Sequence, residues 1–331
     1  MAASGAPFAR RSCIVINEET VATIKPPRVA VTGVGIISPV GHSAEESWQS
    51  LLAGRSGIGP ITQIDTAILP VHIAGEVRDF DPGDYMPFKE ARRMSRASQL
   101  AVAAVQMALS DAGLTAPLPY AERVGTVIGT GAGGLEVVDR EQLTLRGRGF
   151  KAVSPLALTG NLPNMPTYQV SLVTGAHGPN NTELAACASR AQALADGVEF
   201  IRRGRADMVI AGGTEGLIHY TSLASFARMN ALSLRNDDPA TACRPFDLTR
   251  DGTVMSEGAG IVVLERLEHA RARRARIYGE MLGHASSSDA FHVAAPDPEA
   301  GGPARAMRWA LEDAGVTPDA IDYINAHGTA T

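Results

Sequence analysis

Cys187 stands in the run Glu183-Leu184-Ala185-Ala186-Cys187-Ala188-Ser189, and 140 residues later the chain reaches His327 in Asn325-Ala326-His327-Gly328-Thr329-Ala330-Thr331. A thiol and an imidazole are a pair that acyl-transfer chemistry uses, the first as nucleophile and the second as proton or hydrogen-bond donor. A turn signal, Gly178-Pro179, precedes the cysteine, and a long helical run from Ser189 to about Arg203 follows it. That spacing puts Cys187 near a helix N-terminus, where unpaired N–H groups and the positive end of the helix dipole favour a thiolate over a thiol. The competing reading is packing, since a small thiol between alanines is also an ordinary core residue. Spacing alone leaves both open.

Composition narrows the class. An apolar content of 45% with 20% charged residues over 331 positions fits a soluble globular enzyme with one large core or two modest ones. The longest apolar runs fall far short of the roughly 20 residues that cross a bilayer, which predicts no membrane insertion. A net charge of -5 argues against a general nucleic-acid binder. An acidic partner would need a local basic patch, and Arg92-Arg93 with Arg96, Arg202-Arg203 with Arg205, and Arg271 to Arg276 are the clusters available. Each, taken alone, reads as a solvated helix face. Three scattered cysteines, Cys13, Cys187 and Cys243, form neither a disulfide framework nor a metal-binding pattern, so a reducing cytoplasm is the expected setting and no metal is expected.

The elements that must position the thiol come next. Residues 1–26 read as a flexible N-terminal tail; Arg10-Arg11 with the short apolar stretch after it is too brief for a targeting peptide, and Glu18-Glu19 follow it. From Arg28 strands and helices alternate. Val29–Thr32, Val124–Ile128, Asp207–Ala211, Ile261–Leu264 and Ile277–Leu282 read as strands. Ala44–Ala53, Ala97–Gly113 and the run after Cys187 read as helices. Alternation of this kind predicts βαβ units and a mainly parallel sheet. The helix end Ala108-Leu109-Ser110-Asp111-Ala112-Gly113 recurs 202 positions later as Ala310-Leu311-Glu312-Asp313-Ala314-Gly315. Each copy leads through a short loop to an apolar run, Val124–Ile128 and Ile321–Ile324, which predicts a duplicated α/β half. A shared glycine cap is the simpler account of the likeness.

Gly129-Thr130-Gly131-Ala132-Gly133-Gly134 matches GxGxxG after a strand, but no acid stands about 20 positions on to hold a ribose, and Gly33-Val34-Gly35 lacks the third glycine. Both runs read better as places where backbone approaches backbone.

Taken in order, Val31-Thr32-Gly33-Val34-Gly35, Ala186-Cys187-Ala188-Ser189, Ala211-Gly212-Gly213-Thr214-Glu215, Arg244-Pro245-Phe246-Asp247 with Arg250-Asp251-Gly252, Glu257-Gly258-Ala259-Gly260, Ser288-Asp289-Ala290-Phe291-His292 and Asn325-Ala326-His327-Gly328-Thr329 resemble the β-ketoacyl-[acyl-carrier-protein] synthases of the thiolase superfamily, most closely the elongating type II kind. The resemblance covers Arg28 to Thr331. It implies an α/β fold of thiolase-like duplicated α/β halves in a layered αβαβα architecture, with an N-terminal half over 27–270 and the beginning of a C-terminal half over 271–331. It further implies acyl transfer to Cys187, then decarboxylative Claisen condensation with a malonyl-carrier protein, in fatty-acid or related polyketide synthesis. His327 matches the first family histidine, which stabilises negative charge on the malonyl thioester oxygen. Thr329 and Thr331 match threonines that bond the phosphopantetheine arm, Phe226 matches a phenylalanine of the acyl pocket, and His292 matches an auxiliary histidine. The resemblance implies an acyl-carrier protein as partner, a homodimer, and no cofactor beyond the carrier's phosphopantetheine.

Two departures accompany it. Family members continue about eighty to a hundred residues further, through a catalytic lysine, a second histidine and a glycine-rich loop, so the second half is expected to be incomplete, poorly stable alone and slow in decarboxylation. Arg190 stands where the family usually has glycine; a cation there either crowds the helix start or adds to the field at the thiol. Gln192 supports no reading. The other functions weighed are a non-catalytic partner of the same fold, which retention of Cys187 disfavours, and a dinucleotide-binding oxidoreductase.

Overall fold

The computed structural model describes residues 26–331; Cys13 and, apart from Pro26, the tail expected over 1–26 lie outside the described residues. In chain order the elements are β1 (Val29–Ile37), α1 (Ala44–Leu52), β2 (Gly59–Pro60), β3 (Ile73–Ala74), α2 (Phe88–Ala91), α3 (Arg96–Asp111), β4 (Val124–Gly129), α4 (Leu135–Arg148), α5 (Ala157–Asn161) and α6 (Met165–Thr174). They continue as β5 (Asn180–Glu183), α7 (Ser189–Arg202), β6 (Met208–Gly216), α8 (Tyr220–Arg228), β7 (Glu257–Arg266), α9 (Leu267–Ala272), β8 (Gly279–Met281) and α10 (Gly301–Ala314). Helix starts follow local chemistry. Ser43 caps α1 by accepting from Glu46 N–H at 3.1 Å, and Ser95 caps α3 by accepting from Ser98 N–H at 3.2 Å.

Six strands form one sheet in the order β5-β4-β6-β7-β1-β8. β4 is parallel to β5 and β6, whereas β7 is antiparallel to both β6 and β1, and β8 is antiparallel to β1. The sheet is therefore mixed, not mainly parallel. The excursion 217–256 leaves at Gly216 and re-enters at Glu257, its direct partner, so β7 must run the opposite way. The central strands β4 and β6 are buried on both faces, while the edge strands β5 and β8 are partly exposed. Ile128, Ile210 and Val263 face the α3 side, while their neighbours Val127, Val209 and Leu264 face α7, the two-residue period of a sheet sandwiched between helices.

The glycines in β1 bring α3 against it. A Cβ at Gly35 would lie 1.9 Å from Ala104 O, and one at Gly33 2.3 Å from Ala108 O, so a side chain at either position would force the helix off the sheet. The same contact recurs in the second copy. A Cβ at Gly283 would lie 2.6 Å from Ala310 O and 2.8 Å from the Ala314 Cβ, just as Gly33 meets Ala108 and Ala112. Asp111 Oδ2 accepts from Val34 N–H at 2.8 Å, and Asp313 Oδ2 accepts from His284 N–H at 2.9 Å. Both helices close alike, with Leu114 N–H donating to Leu109 O and Val316 N–H to Leu311 O, after Gly113 (φ 67°) and Gly315 (φ 66°). The duplication thus extends from a sequence likeness to matched packing and hydrogen bonds. The expected strand at Ile321–Ile324 does not form. No described strand lies beside those residues to complete a ladder, and Ile321, Tyr323 and Ile324 are exposed.

Glu136, in the first turn of α4, accepts from Arg96 N–H at 2.6 Å through Oε1, and its Oε2 has no partner among the described residues. Burial pushes its carboxyl up to about 7, against the opposing pull of the Arg96 N–H. The folded-state value lies above the unfolded one, so the stability this group contributes is full below about pH 4.5 and is lost as pH rises through about 7. Glu136→Gln is expected to flatten this stretch of the stability curve, gaining up to about 3 kcal/mol on the native chain between its two ends. Chemical denaturation at about pH 5 and about pH 8 checks this; an undiminished decline in the variant would refute the assignment.

Candidate active site

β5 ends at Glu183, and two residues later the backbone turns sharply. Ala185 sits at φ -130°, ψ 41°, Ala186 takes a left-handed φ of 49°, and one 3₁₀ turn over Ala186–Ala188 leads into α7. Cys187 is exposed at the crest of this strand-turn-helix elbow, at the N-terminal end of α7, as its spacing predicts. The packing reading of Cys187 is thereby excluded. Ser189 holds the elbow from beneath. Its buried hydroxyl accepts from Ala185 N–H at 2.8 Å and lies within donating distance of Ala186 O at 2.6 Å and Thr130 O at 3.0 Å.

The helix start presses on the ends of β4 and β6. A Cβ at Gly129 would lie 2.2 Å from Ser189 O, and one at Gly213 2.2 Å from the Arg190 Cγ. The glycine run after β4 is therefore a seat for the nucleophile helix. Its Gly131 N–H, which a phosphate would need, donates instead to Glu215 Oε2 at 2.7 Å, and Thr130 Oγ1 lies 3.1 Å from Glu215 Oε1. Arg190 lies across Gly213 with a guanidinium nitrogen 3.8 Å from Glu215 Oε2. It does not crowd the helix start, because Gly213 leaves its stem room. On the β5 side, burial and neighbouring Asp196 push the Glu183 carboxyl up, and Asn181 Nδ2 donates to both acids, at 2.9 and 2.8 Å.

β4, β5, β6 and β1 all end at one edge of the sheet, where β7 begins, and loops at such an edge are the usual place for a site. Phe226, on α8 beyond β6, is half exposed, and its carbonyl accepts from Ala231 N–H at 3.1 Å. Ala231 O accepts from Thr253 N–H at 2.8 Å, and Gly252 N–H donates to Ala330 O at 3.0 Å. These bonds link the end of α8, which carries Phe226, through residues 231 and 252–253 to the segment of Thr329 and Thr331. The Thr329 and Thr331 hydroxyls meet at 2.6 Å, and Arg250 Nε donates to Thr331 O at 3.3 Å. His327 is exposed on the same segment, one residue before Gly328 (φ 56°), which rests on Pro245 and Phe246.

A cleft of ≈ 700 Å³ opens beside the elbow between α7 and α10, lined by Ala188, Ala191, Gln192, Ser286, Asp289 and Ala306 among others; His327, Thr329, Thr331, Phe226 and His292 are not in its wall. Residues 282–289 run along α7 from its last turn, where Arg202 donates to Leu282 O at 2.7 Å, towards Gln192, 3.3 Å from Ser286 Oγ. His292 follows on an exposed loop. Its Nδ1 accepts from Ala294 and Ala295 N–H at 3.1 and 3.0 Å, which leaves the ring proton on Nε2.

Sequence reading missed Ser189 and Glu215 as partners of the elbow, and it missed a buried chain from Asp139 to His219 (2.8 Å) to Ser222 (2.7 Å). The order mimics a hydrolytic triad, but Ser222 is buried in the first turn of α8, so the chain bolts α4 to α8. Burial raises the Asp139 carboxyl, and Thr221 with His219 more than offset this, holding it below the ordinary range. His219-x-x-Ser222 was its only local signal. Among the described residues no group of three or more His, Cys, Asp or Glu side chains is placed to hold a metal ion.

Residues 27–270 match the family model described as beta-ketoacyl synthase, N-terminal domain, and residues 278–331 match the one described as beta-ketoacyl synthase, C-terminal domain. The chain is 46% identical over 310 residues to a 3-oxoacyl-[acyl-carrier-protein] synthase 2 of Synechocystis sp., covering 94% of this chain and 74% of that relative. Among solved structures it superposes on the ishigamide ketosynthase/chain length factor with a TM-score of 0.85 at 37% identity, covering 92% of this chain and 74% of that one. It superposes at 0.82 and 30% identity, with the same coverages, on the type II polyketide complex AntDE:AntF, an acyl-carrier protein with its ketosynthase bound to the hexaketide. An exposed cysteine on a glycine-seated helix start, within a duplicated α/β fold, accords with these likenesses, and the chain belongs to the beta-ketoacyl synthase family.

Proposed function

We propose that the chain is a 3-oxoacyl-[acyl-carrier-protein] synthase acting in fatty-acid or related polyketide synthesis. The observation that carries this reading is the exposed thiol of Cys187 on its elbow at the carboxyl edge of the sheet. Cys187 attacks an acyl thioester, its sulfur bonds to the acyl carbonyl carbon, and the carrier thiol leaves with the proton. A malonyl thioester then loses CO2, the resulting enolate carbon attacks the Cys187 thioester, and collapse of the tetrahedral adduct returns the thiolate and a 3-oxoacyl chain two carbons longer. In this reading His327 donates to the enolate oxygen, Thr329 and Thr331 bond the pantetheine arm, Phe226 borders the acyl chain and His292 is the auxiliary histidine. The chain itself needs no cofactor, since the carrier brings the phosphopantetheine, and the setting is cytoplasmic.

The partner is an acidic acyl-carrier protein. Lys89, Arg92 and Arg93 line a cleft of ≈ 440 Å³ with Phe88 and Leu156, and none of the three cations is in an ion pair among the described residues. This basic mouth in a net-acidic protein lies beside the N-terminus of α3, which touches Gly216 at the carboxyl edge, so a docked carrier can turn its arm towards Cys187. A second copy of the chain is the other expected partner. Leu143, Leu145, Phe150, Leu158 and Leu172 expose apolar surface along α4, the turn after it, α5 and α6, which a dimer would cover.

Two outcomes are expected. Incubation with a long-chain acyl-carrier protein adds one acyl mass to the intact chain and none to Cys187→Ala; a folded native chain that gains nothing would remove the nucleophile assignment. Reversing Arg92 and Arg93 to Glu slows acylation from the carrier at least tenfold, mainly through KM, while acylation by a small pantetheine thioester changes less than twofold, as loss of a steering patch requires. Equal losses with both donors would place the patch in catalysis or folding instead.

A further inference from the structure

Glu215 has no part in the chemistry above, yet it is nearly buried (7% exposed) beneath the nucleophile elbow and touches both the loop after β4 and the first turn of α7. Its Oε2 accepts from Gly131 N–H at 2.7 Å and lies 3.8 Å from the Arg190 guanidinium, and its Oε1 lies 3.1 Å from the Thr130 hydroxyl. Thr130 O in turn lies 3.0 Å from the Ser189 hydroxyl, which ties back to Ala185 and Ala186 on either side of the turn. One carboxylate therefore links the end of β6, the loop after β4 and the first turn of α7.

Arg190 makes this arrangement particular to the chain. It is three residues beyond Cys187, in the first turn of α7 and next to the 3₁₀ turn that carries the thiol. A guanidinium with nothing to hold it would be free to swing on its long stem beside the elbow. Instead its stem lies across Gly213, which has no Cβ to obstruct it, and its head is drawn towards Glu215. Glu183 on β5 and Asp196 on α7, which share Asn181, are further charged groups on the β5 side of the elbow.

We propose that Glu215 is a positioning residue for Cys187: it fixes the elbow through Thr130 and Gly131 and holds the Arg190 cation down on β6, away from the thiol. The consequence is a nucleophile beside a restrained cation, so that the field at the sulfur is set by the pair and not by Arg190 alone. The inference rests on Cys187 being the reactive thiol, but its test does not need condensing activity.

Alkylation of Cys187 by neutral iodoacetamide and by anionic iodoacetate at neutral pH, followed by peptide mass mapping that separates it from the exposed Cys243, reads both roles. Glu215→Gln keeps an oxygen for Gly131 N–H and frees Arg190, so the iodoacetate-to-iodoacetamide rate ratio is expected to rise about threefold, the scale of one partly solvated charge contact. Glu215→Gln with Arg190→Ala returns the ratio to the native value or below. Arg190→Ala alone, which leaves every hydrogen bond of Glu215 in place, lowers the ratio and serves as the independent reading if the Gln variant does not fold. A ratio unchanged in Glu215→Gln, or unchanged in Arg190→Ala when only that variant folds, overturns the proposal and leaves Glu215 a structural acid. Failure of the acyl-carrier labelling together with these ratio shifts would count against the proposed function and not against the positioning role.

Discussion

The contact on which the site depends is backbone against backbone: the first turn of α7 laid on the ends of β4 and β6. Ser189 O occupies the space a Cβ would take at Gly129, and the Arg190 stem occupies that space at Gly213. With the helix start this low on the sheet, the chain leaving β5 has only a few residues in which to turn, and Ala186 takes a left-handed conformation that costs of order 1 kcal/mol for a residue with a Cβ. The buried Ser189 hydroxyl satisfies the backbone groups that this turn strands. An exposed thiol at the crest is the result. The strain is held by a well-packed base, because the strands beneath are buried on both faces.

Strand direction does the next part of the work. Were the sheet wholly parallel, the segment before β7 would enter from the opposite edge. Because β7 is antiparallel to β6, the loop through Arg244 to Gly252 opens at the same edge as the elbow. That loop anchors the segment carrying His327, through Gly252 and Ala330 and through Arg250 and Thr331. The departure from the simplest α/β pattern is what gives residues 327–331 a floor beside the strand ends.

The sequence made some of this legible and concealed the rest for physical reasons. Cys187 at a helix start and glycines as points of close approach could be read because both are local signals, a turn before a helical period and residues without Cβ. The 202-residue repeat was legible as text, and Gly33 with Asp111 set beside Gly283 with Asp313 gives it physical content. Strand direction was not legible, since periodicity records which face is buried and not which way the chain runs. Ile321–Ile324 has the composition of a strand, but a strand exists only with a neighbour to complete its ladder. Ser189, Glu215 and His219 were passed over because Thr130, Gly131 and Asp139, the partners that give them a role, stand 59 to 85 positions away.

The two copies of the repeat share a device and use it differently. Asp111 accepts from Val34 N–H and from the Tyr278 hydroxyl at 2.9 Å, which closes the end of α3 onto β1 and the strand beside it. Asp313 makes the equivalent bond to His284 N–H, but its second partner is Arg202 at 2.9 Å, in the last turn of the nucleophile helix. Arg202 also donates to Leu282 O, and Glu199, one turn earlier, lies 3.3 Å from His284 Nε2. α7 is thus fixed twice: at its start by the glycine ends of β4 and β6, at its finish by the second copy of the repeat. A helix pinned only at its start can swing about that point and carry the thiol's surroundings with it, whereas one pinned at both ends cannot. Residues 282–313 thereby bear on Cys187 through the rigidity of α7, from the far end of a fourteen-residue helix.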